Sequence, residues 1–248
     1  METDIRIADV VDSTNTSVLE LAHNGAGEGT CVISFCQRKG QGRSGRRFYS
    51  PPGGNLYMSL LLRPGSVEEA AYITVYAAVS TVEAIKACFG IDTGIKWVND
   101  IYLRGRKVCG IVAKADDPGG YRCVVLGIGV NIYDQPDVPE EIKDIYGSLK
   151  GCLCYLPDKE WKEDAVTLGK CIMERFAYYY DGARKEEAID KYREYSVILG
   201  KTVQYMSGNL VMSAKAVSID DEGGLVLDDG TGTRSYRDGE IRIVPDNM

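Results

Sequence analysis

The sequence predicts an α/β (α+β) protein, with a main domain over residues 1–198 and a small all-β barrel over 199–248. Three observations predict it. Strand-like runs such as Thr30 to Phe35 and Asn55 to Leu62 alternate with helix-length amphipathic stretches as far as residue 197. From Gly200 the pattern changes to short strands separated by the turns Asp221-Glu222-Gly223-Gly224 and Asp228-Asp229-Gly230. The chain's 248 residues, 44% of them hydrophobic and 26% charged, also suffice to bury a core without metal or disulfide staples.

Charge and cysteine usage narrow the function. A net charge of -7 argues against a general nucleic-acid binder, which needs a broad basic face. The eight cysteines mostly sit in apolar runs such as Cys31-Val32-Ile33 and Cys123-Val124-Val125, where a thiol behaves as a small hydrophobe. None forms a C-x-x-C pair, and Cys152-Leu153-Cys154 is too little for a metal site. With no signal peptide at the acidic N-terminus, they read as reduced thiols of a cytoplasmic protein. No run approaches the roughly 18–20 apolar residues of a membrane span.

Taken in order, residues 4–10 alternate polar and apolar, as a half-buried strand does. Asp12-Ser13-Thr14-Asn15 follows, then Val18, Leu19, Leu21 and Ala22 in helical spacing. Ser13, Thr14 or Asn15 can cap this helix, or the three together can clasp a small polar ligand group. His23, the single histidine, falls near the helix end as a partner for its dipole.

Thr30 to Phe35 then delivers Gln37 and an unusual loop. Residues 38–47 hold five basic side chains, three glycines and no acid. Glycines make this backbone costly to order, and the cations with exposed N–H groups suit an anion such as phosphate. A solvated basic loop is the plainer alternative. Asn55 to Leu62 is a strongly apolar strand. Ser66 heads a helix with Glu68 and Glu69 in its first turn, a buried stripe from Tyr72 to Phe89, and Gly90 as its stop.

Ile95 to Leu103 is strand-like and carries Lys96, Trp97, Asn99 and Asp100. Lys96 and Asp100 form either a surface ion pair on an edge strand or the wall of a cavity shared with the basic loop. Two neighbouring hairpin strands follow, with Pro118-Gly119-Gly120 between them. Their Gly110, Gly127 and Gly129 imply that something approaches the backbone closely. The chain is loop-rich from Asn131 to residue 158, and helices follow near 160–180 and 184–197. The tail strands are Thr202 to Met206, Leu210 to Ile219, Leu225 to Leu227, Thr233 to Tyr236 and Ile241 to Val244.

Four stretches occur in the order Ser13-Thr14-Asn15, Gly40-Gln41-Gly42-Arg43-Ser44-Gly45, Lys96-Trp97-Val98-Asn99-Asp100 and Gly127-Ile128-Gly129-Val130-Asn131. With the β-rich tail they resemble the biotin–protein ligase family, from about residue 10 to the C-terminus. The resemblance implies a mixed-sheet, class II synthetase-like catalytic domain with a C-terminal SH3-like β-barrel. It implies two steps: biotin and ATP give biotinyl-5′-AMP, and a lysine of a biotin carboxyl carrier protein then takes the biotin.

By matched position, Ser13, Thr14, Asn15 and Gln37 hold the ureido end of biotin, with Gly110 beside it. Arg43, with the backbone of Gln41 and Gly42, closes over biotin and the adenylate. Lys96 sits between carboxylate and α-phosphate, and Lys96 and Arg43 carry the catalysis. Arg46, Phe48, Asn99 and Asn131 lie on the nucleotide side. Magnesium is expected with ATP, but no matched residue identifies its ligand beyond Asp100 as a candidate.

Three positions depart from the family pattern: Gln41 for an arginine, Phe48 for a tryptophan and Val98 for a proline. No helix-turn-helix precedes residue 10, so the short form is expected, without DNA or membrane as partner and with a homodimer as a family habit. Two rivals stand beside this reading. One is a lipoate or octanoate ligase or transferase; the other is a non-catalytic biotin or adenylate sensor.

Overall fold

The computed structural model describes residues 1–116, 122–151, 158–207 and 210–244. Its main part runs β1 (Asp4–Ala8), α1 (Thr14–His23), β2 (Thr30–Ser34), β3 (Asn55–Leu62), α2 (Val67–Phe89), β4 (Gly94–Lys96), β5 (Asp100–Leu103), β6 (Arg106–Ala115), β7 (Val124–Asn131), α3 (Asp158–Tyr180) and α4 (Lys185–Glu194). The tail runs β8 (Thr202–Ser207), β9 (Leu210–Ile219), β10 (Leu225–Asp228), β11 (Thr233–Tyr236) and β12 (Ile241–Ile243).

The first seven strands form one sheet in the order β1-β2-β3-β7-β6-β5-β4. Only β1 and β2 run parallel; the other neighbours are antiparallel, so the sheet is mixed. Because side chains alternate along a strand, β3 and β7 each present two different faces. Leu56, Met58, Leu60 and Leu62, with Val124, Leu126, Ile128 and Val130, meet the helices α2 and α3 in the main core. Tyr57, Ser59 and Leu61, with Val125, Gly127, Gly129 and Asn131, take the alternate positions. There α1 covers Leu61, Val125 and Val32 through Val18 and Ala22. On the remaining part of that face, Asn15 lies against Gly127 and the Phe48 ring against Gly129.

α2 forms as its sequence predicts. Ser66 accepts a hydrogen bond from the Glu69 N–H at 3.2 Å, and Gly90 ends the helix at φ 69°. Contrary to the sequence expectation, α2 is long and apolar enough to cross a membrane by length and composition. Its Tyr72, Val75, Val79, Val82 and Ile85 are instead buried against the sheet and α3. It is a core helix.

The tail strands match their predicted spans closely and form a five-stranded antiparallel sheet, β11-β10-β9-β8-β12. Their inner residues Val203, Ala214 and Leu225 join the same apolar core as Tyr72 and Val75. Polar links reinforce the join. Trp97 Nε1 donates to the Gly223 carbonyl at 3.0 Å and the Tyr72 hydroxyl to the Asp221 carbonyl at 2.9 Å.

One element differs from expectation. Ile95 to Leu103 is not a single strand but a hairpin, β4 and β5, whose turn occupies 97–99 and pairs Lys96 with Asp100. The turn Pro118-Gly119-Gly120 and the pair Cys152 and Cys154 lie outside the described residues.

Candidate functional site

Strand register builds the site. Reading across the sheet, Tyr57 pairs with Gly129, Gly129 with Gly110, Gly110 with Asp100, and Asp100 with Lys96. This is one continuous row over five strands. A parallel row two residues along β7 pairs Ser59 with Gly127. Two residues along a strand put side chains of one face roughly 7 Å apart. Gly127, Gly129, Gly110, Asp100 and Lys96 of these rows line a cavity of about 790 Å³.

On the Gly127 row stands a polar clasp. Asn15 presses so close to Gly127 that a Cβ there would lie 2.4 Å from its Oδ1. Ser59 Oγ lies 2.6 Å from Asn15 Oδ1 and 2.7 Å from Thr14 Oγ1. Gln37 Oε1 accepts from the Thr14 N–H at 2.9 Å and its hydroxyl at 3.1 Å. On the Tyr57–Lys96 row lies the Phe48 ring. A Cβ on Gly129 would stand 2.5 Å from its Cε1, and one on Gly110 2.8 Å from its Cε2. The close approach implied by the strand glycines is thus made by the chain's own Phe48 and Asn15.

Lys96 closes the far end of that row. Burial lowers its pKa against the opposing pull of Asp100, with Lys107 lowering it further. Its Nζ lies 3.5 Å from the Tyr102 hydroxyl and 5.2 Å from that ring's centre. Of the two readings of Lys96 and Asp100, the ion pair is not made, since Asp100 Oδ1 pairs with Lys107 Nζ at 2.6 Å, and both residues line the cavity.

Over the cavity lies the cationic loop, closed at its neck by a hydrogen bond from Gln37 N–H to the Ser50 carbonyl at 3.1 Å. Four of its five cations pair with acids from other parts of the chain. Lys39 pairs with Asp12 at 3.1 Å, while Arg43 and Arg46 pair with Asp238 and Glu240 just before β12. Arg43 also donates to Asn99 Oδ1 at 2.9 Å. Ser44 and Gly45 turn the loop with φ of 53° and 74°.

Thr14, Asn15, Gln37, Gln41, Gly42, Arg43, Arg46, Phe48, Lys96, Asn99, Gly110 and Asn131 all line this one cavity. Ser13 does not. It is 1% exposed, its hydroxyl finds no partner, and it makes no capping hydrogen bond although it occupies the N-cap position of α1. The capping reading of Ser13 is corrected by this placement, since its side chain caps nothing. Asn131 lends its Nδ2 to the Gly147 carbonyl at 3.0 Å, and its Oδ1 is a buried acceptor without a partner.

Sequence reasoning missed two residues. Ser59 is a lone hydroxyl in an otherwise apolar strand, and that contrast was the available signal. Lys107 sat inside a basic turn with nothing in its neighbours to mark it. His23 meets Asp116 at 2.9 Å, away from the cavity.

A known protein family covers most of these residues. The model of the Biotin/lipoate A/B protein ligase family matches residues 7–131, which include the clasp, the loop, the hairpin and both glycine strands. The chain belongs to that family. Among curated relatives of the ligase family, the bifunctional ligase/repressor BirA of Bacillus subtilis is 34% identical over 239 residues, spanning 95% of this chain and 72% of that protein. The biotin–[acetyl-CoA-carboxylase] ligase of Mycobacterium tuberculosis is 29% identical over 236 residues, spanning 92% and 85%. Among solved structures, the biotin protein ligase from Aquifex aeolicus in complex with biotin and ATP superimposes with a TM-score of 0.77 at 27% identity, covering 97% of this chain and 98% of that one. The mixed sheet with its small C-terminal β-sheet is the fold of that ligase.

Proposed function

We propose that the protein is a biotin–protein ligase that forms biotinyl-5′-AMP from biotin and ATP and passes biotin to a lysine of a biotin carboxyl carrier protein. The observation that carries this is the two-row cavity. A neutral hydrogen-bonding clasp and a cationic roof share one face of the sheet, with Lys96 at the end of the second row.

Thr14, Asn15 and Gln37, with Ser59 bracing Thr14 and Asn15 from behind, suit a ureido group, which offers two N–H donors and a carbonyl. A plain acyl chain would offer these polar groups no hydrogen-bond partner, and a site built to hydrogen-bond its ligand discriminates against it. Arg43 and Arg46 suit phosphate oxygens, and the Phe48 face suits an adenine. Asn131 Oδ1 is an acceptor for a nucleotide N–H.

In the first step a biotin carboxylate oxygen attacks the α-phosphorus and pyrophosphate leaves. Lys96 draws the two anions together and stabilises the charge that develops between them. In the second step the carrier's amine attacks the acyl carbon of the mixed anhydride and AMP leaves. Arg43 keeps the adenylate covered until then. Among the described residues no three metal-ligating side chains cluster, and Asp100 is already paired with Lys107. Magnesium fits here as a partner of ATP's own phosphates, with at most one carboxylate such as Asp100.

Pyrophosphate–ATP exchange with biotin, lipoate and octanoate, each offered without a carrier, tests the reading. Exchange with biotin alone is expected. Exchange with lipoate would keep the fold and change the substrate, and ligand binding without any exchange would make the protein a sensor.

A further inference from the structure

The neck of the cationic loop contains a serine that the chemistry above does not use. Gln37 Nε2 donates to Ser50 Oγ at 3.0 Å, and Ser50 Oγ donates to the Phe48 carbonyl at 2.9 Å. The other end of the Gln37 amide is the acceptor that holds Thr14. The Phe48 N–H is fixed as well, donating to the Gly40 carbonyl at 3.0 Å. An unbroken line of hydrogen bonds therefore runs Thr14–Gln37–Ser50–Phe48. One end is the clasp and the other is the ring lying on the two glycines.

The node is tightly packed. Ser50 is 6% exposed, and a Cβ on Gly40 would stand 2.4 Å from Ser50 Oγ and 2.5 Å from the Phe48 carbonyl oxygen. The glycine is required there because the node occupies the space a methyl group would need. A serine hydroxyl has one proton and can accept while it donates, so both bonds form together and each polarises the other. The backbone bond between Gln37 and Ser50 does not depend on that hydroxyl, so removing it opens the line at its middle while leaving the neck closed.

We propose that Ser50 is a positioning residue that couples occupancy of the clasp to the seating of Phe48, resting on the reading that the clasp takes biotin and Phe48 faces the nucleotide. A ligand that orients the Gln37 amide orients the Ser50 hydroxyl, and with it the Phe48 backbone. The coupling acts equally in both directions, as linkage between two binding sites requires.

A binding cycle tests it. The affinity for α,β-methylene-ATP, whose carbon bridge prevents adenylate formation, is measured with and without saturating biotin in the wild type, Ser50→Ala and Ser50→Cys. Biotin should tighten nucleotide binding by on the order of 5- to 100-fold in the wild type, and by about 1-fold in both variants. A serine with a merely structural role would weaken both ligands and lower Tm without moving that ratio. Cysteine fills the node with a weak hydrogen-bonding group, so the measurement survives if alanine loosens the fold. An unchanged ratio in the variants, or no coupling in a wild type that binds both ligands, overturns the proposal and leaves the ligase reading standing. A wild type that binds neither ligand overturns both.

Discussion

At the residue scale the proposed reaction rests on Lys96, whose pKa burial lowers. Lys96→Ala should cut adenylate formation by about 100- to 1,000-fold, the cost of losing one charge-stabilising donor. Pyrophosphate exchange near the wild-type rate would remove Lys96 from this role. Its lowered pKa also predicts a pH dependence. The protonated form is the working one, so activity falls as pH rises through the lowered value. Bound carboxylate and phosphate favour the ammonium and raise it again. The alkaline limb of kcat/KM, which reports the free enzyme, should therefore lie at lower pH than that of kcat. Coincident limbs would speak against it. Residues like Lys96 and Arg43 were legible because charge in a glycine-rich or strand-borne setting stands out. Ser13 caps nothing while its neighbours Thr14 and Asn15 line the cavity, because one residue's turn at the helix start decides where each side chain goes. No sequence pattern reveals that turn.

At the element scale, the glycines of β6 and β7 act as the floor for Phe48. Gly129→Ala would place a methyl group 2.5 Å from the ring and displace it. Nucleotide affinity should fall by about 5- to 100-fold, the worth of one aromatic–base stack, with a smaller effect on biotin. Titration of each ligand separately checks the contrast. The loop above makes a second prediction. Arg43 ties the loop to Asn99 and Asp238, so Arg43→Gly should let reactive adenylate escape and label bystander lysines. Carrier-only labelling by that variant would count against a covering role. Alternation and turn residues made nearly every strand legible, the tail strands almost to the residue. The β4–β5 hairpin was not. Its turn, Trp97-Val98-Asn99, contains none of the glycine, proline or aspartate punctuation that marks reversals, although Asn99 holds the turn by bonding to Ile111.

For the whole molecule, the change from α/β to all-β pattern near residue 200 was visible, but the continuity of the core across it was not. Apolar periodicity tells which face of a strand is buried and not what buries it. Val203, Ala214 and Leu225 share a core with α2, and Trp97 and Tyr72 bond to the 221–223 turn. The chain should unfold in a single calorimetric transition. A tail truncation after residue 200 should expose apolar surface on α2 and lose soluble expression. Two separate transitions would show the two sheets to be independent.

Arg43 and Arg46 of the loop do not wait bare for a nucleotide. Asp238 and Glu240 sit on them as built-in counterions, so arrival of a triphosphate is an exchange of one anion for another. Salt competes with the carboxylates as well as with the phosphates, and much of its effect cancels. Nucleotide affinity should therefore change less with ionic strength than the loop's five cations imply, and the Asp238→Asn, Glu240→Gln double variant should restore the steeper dependence.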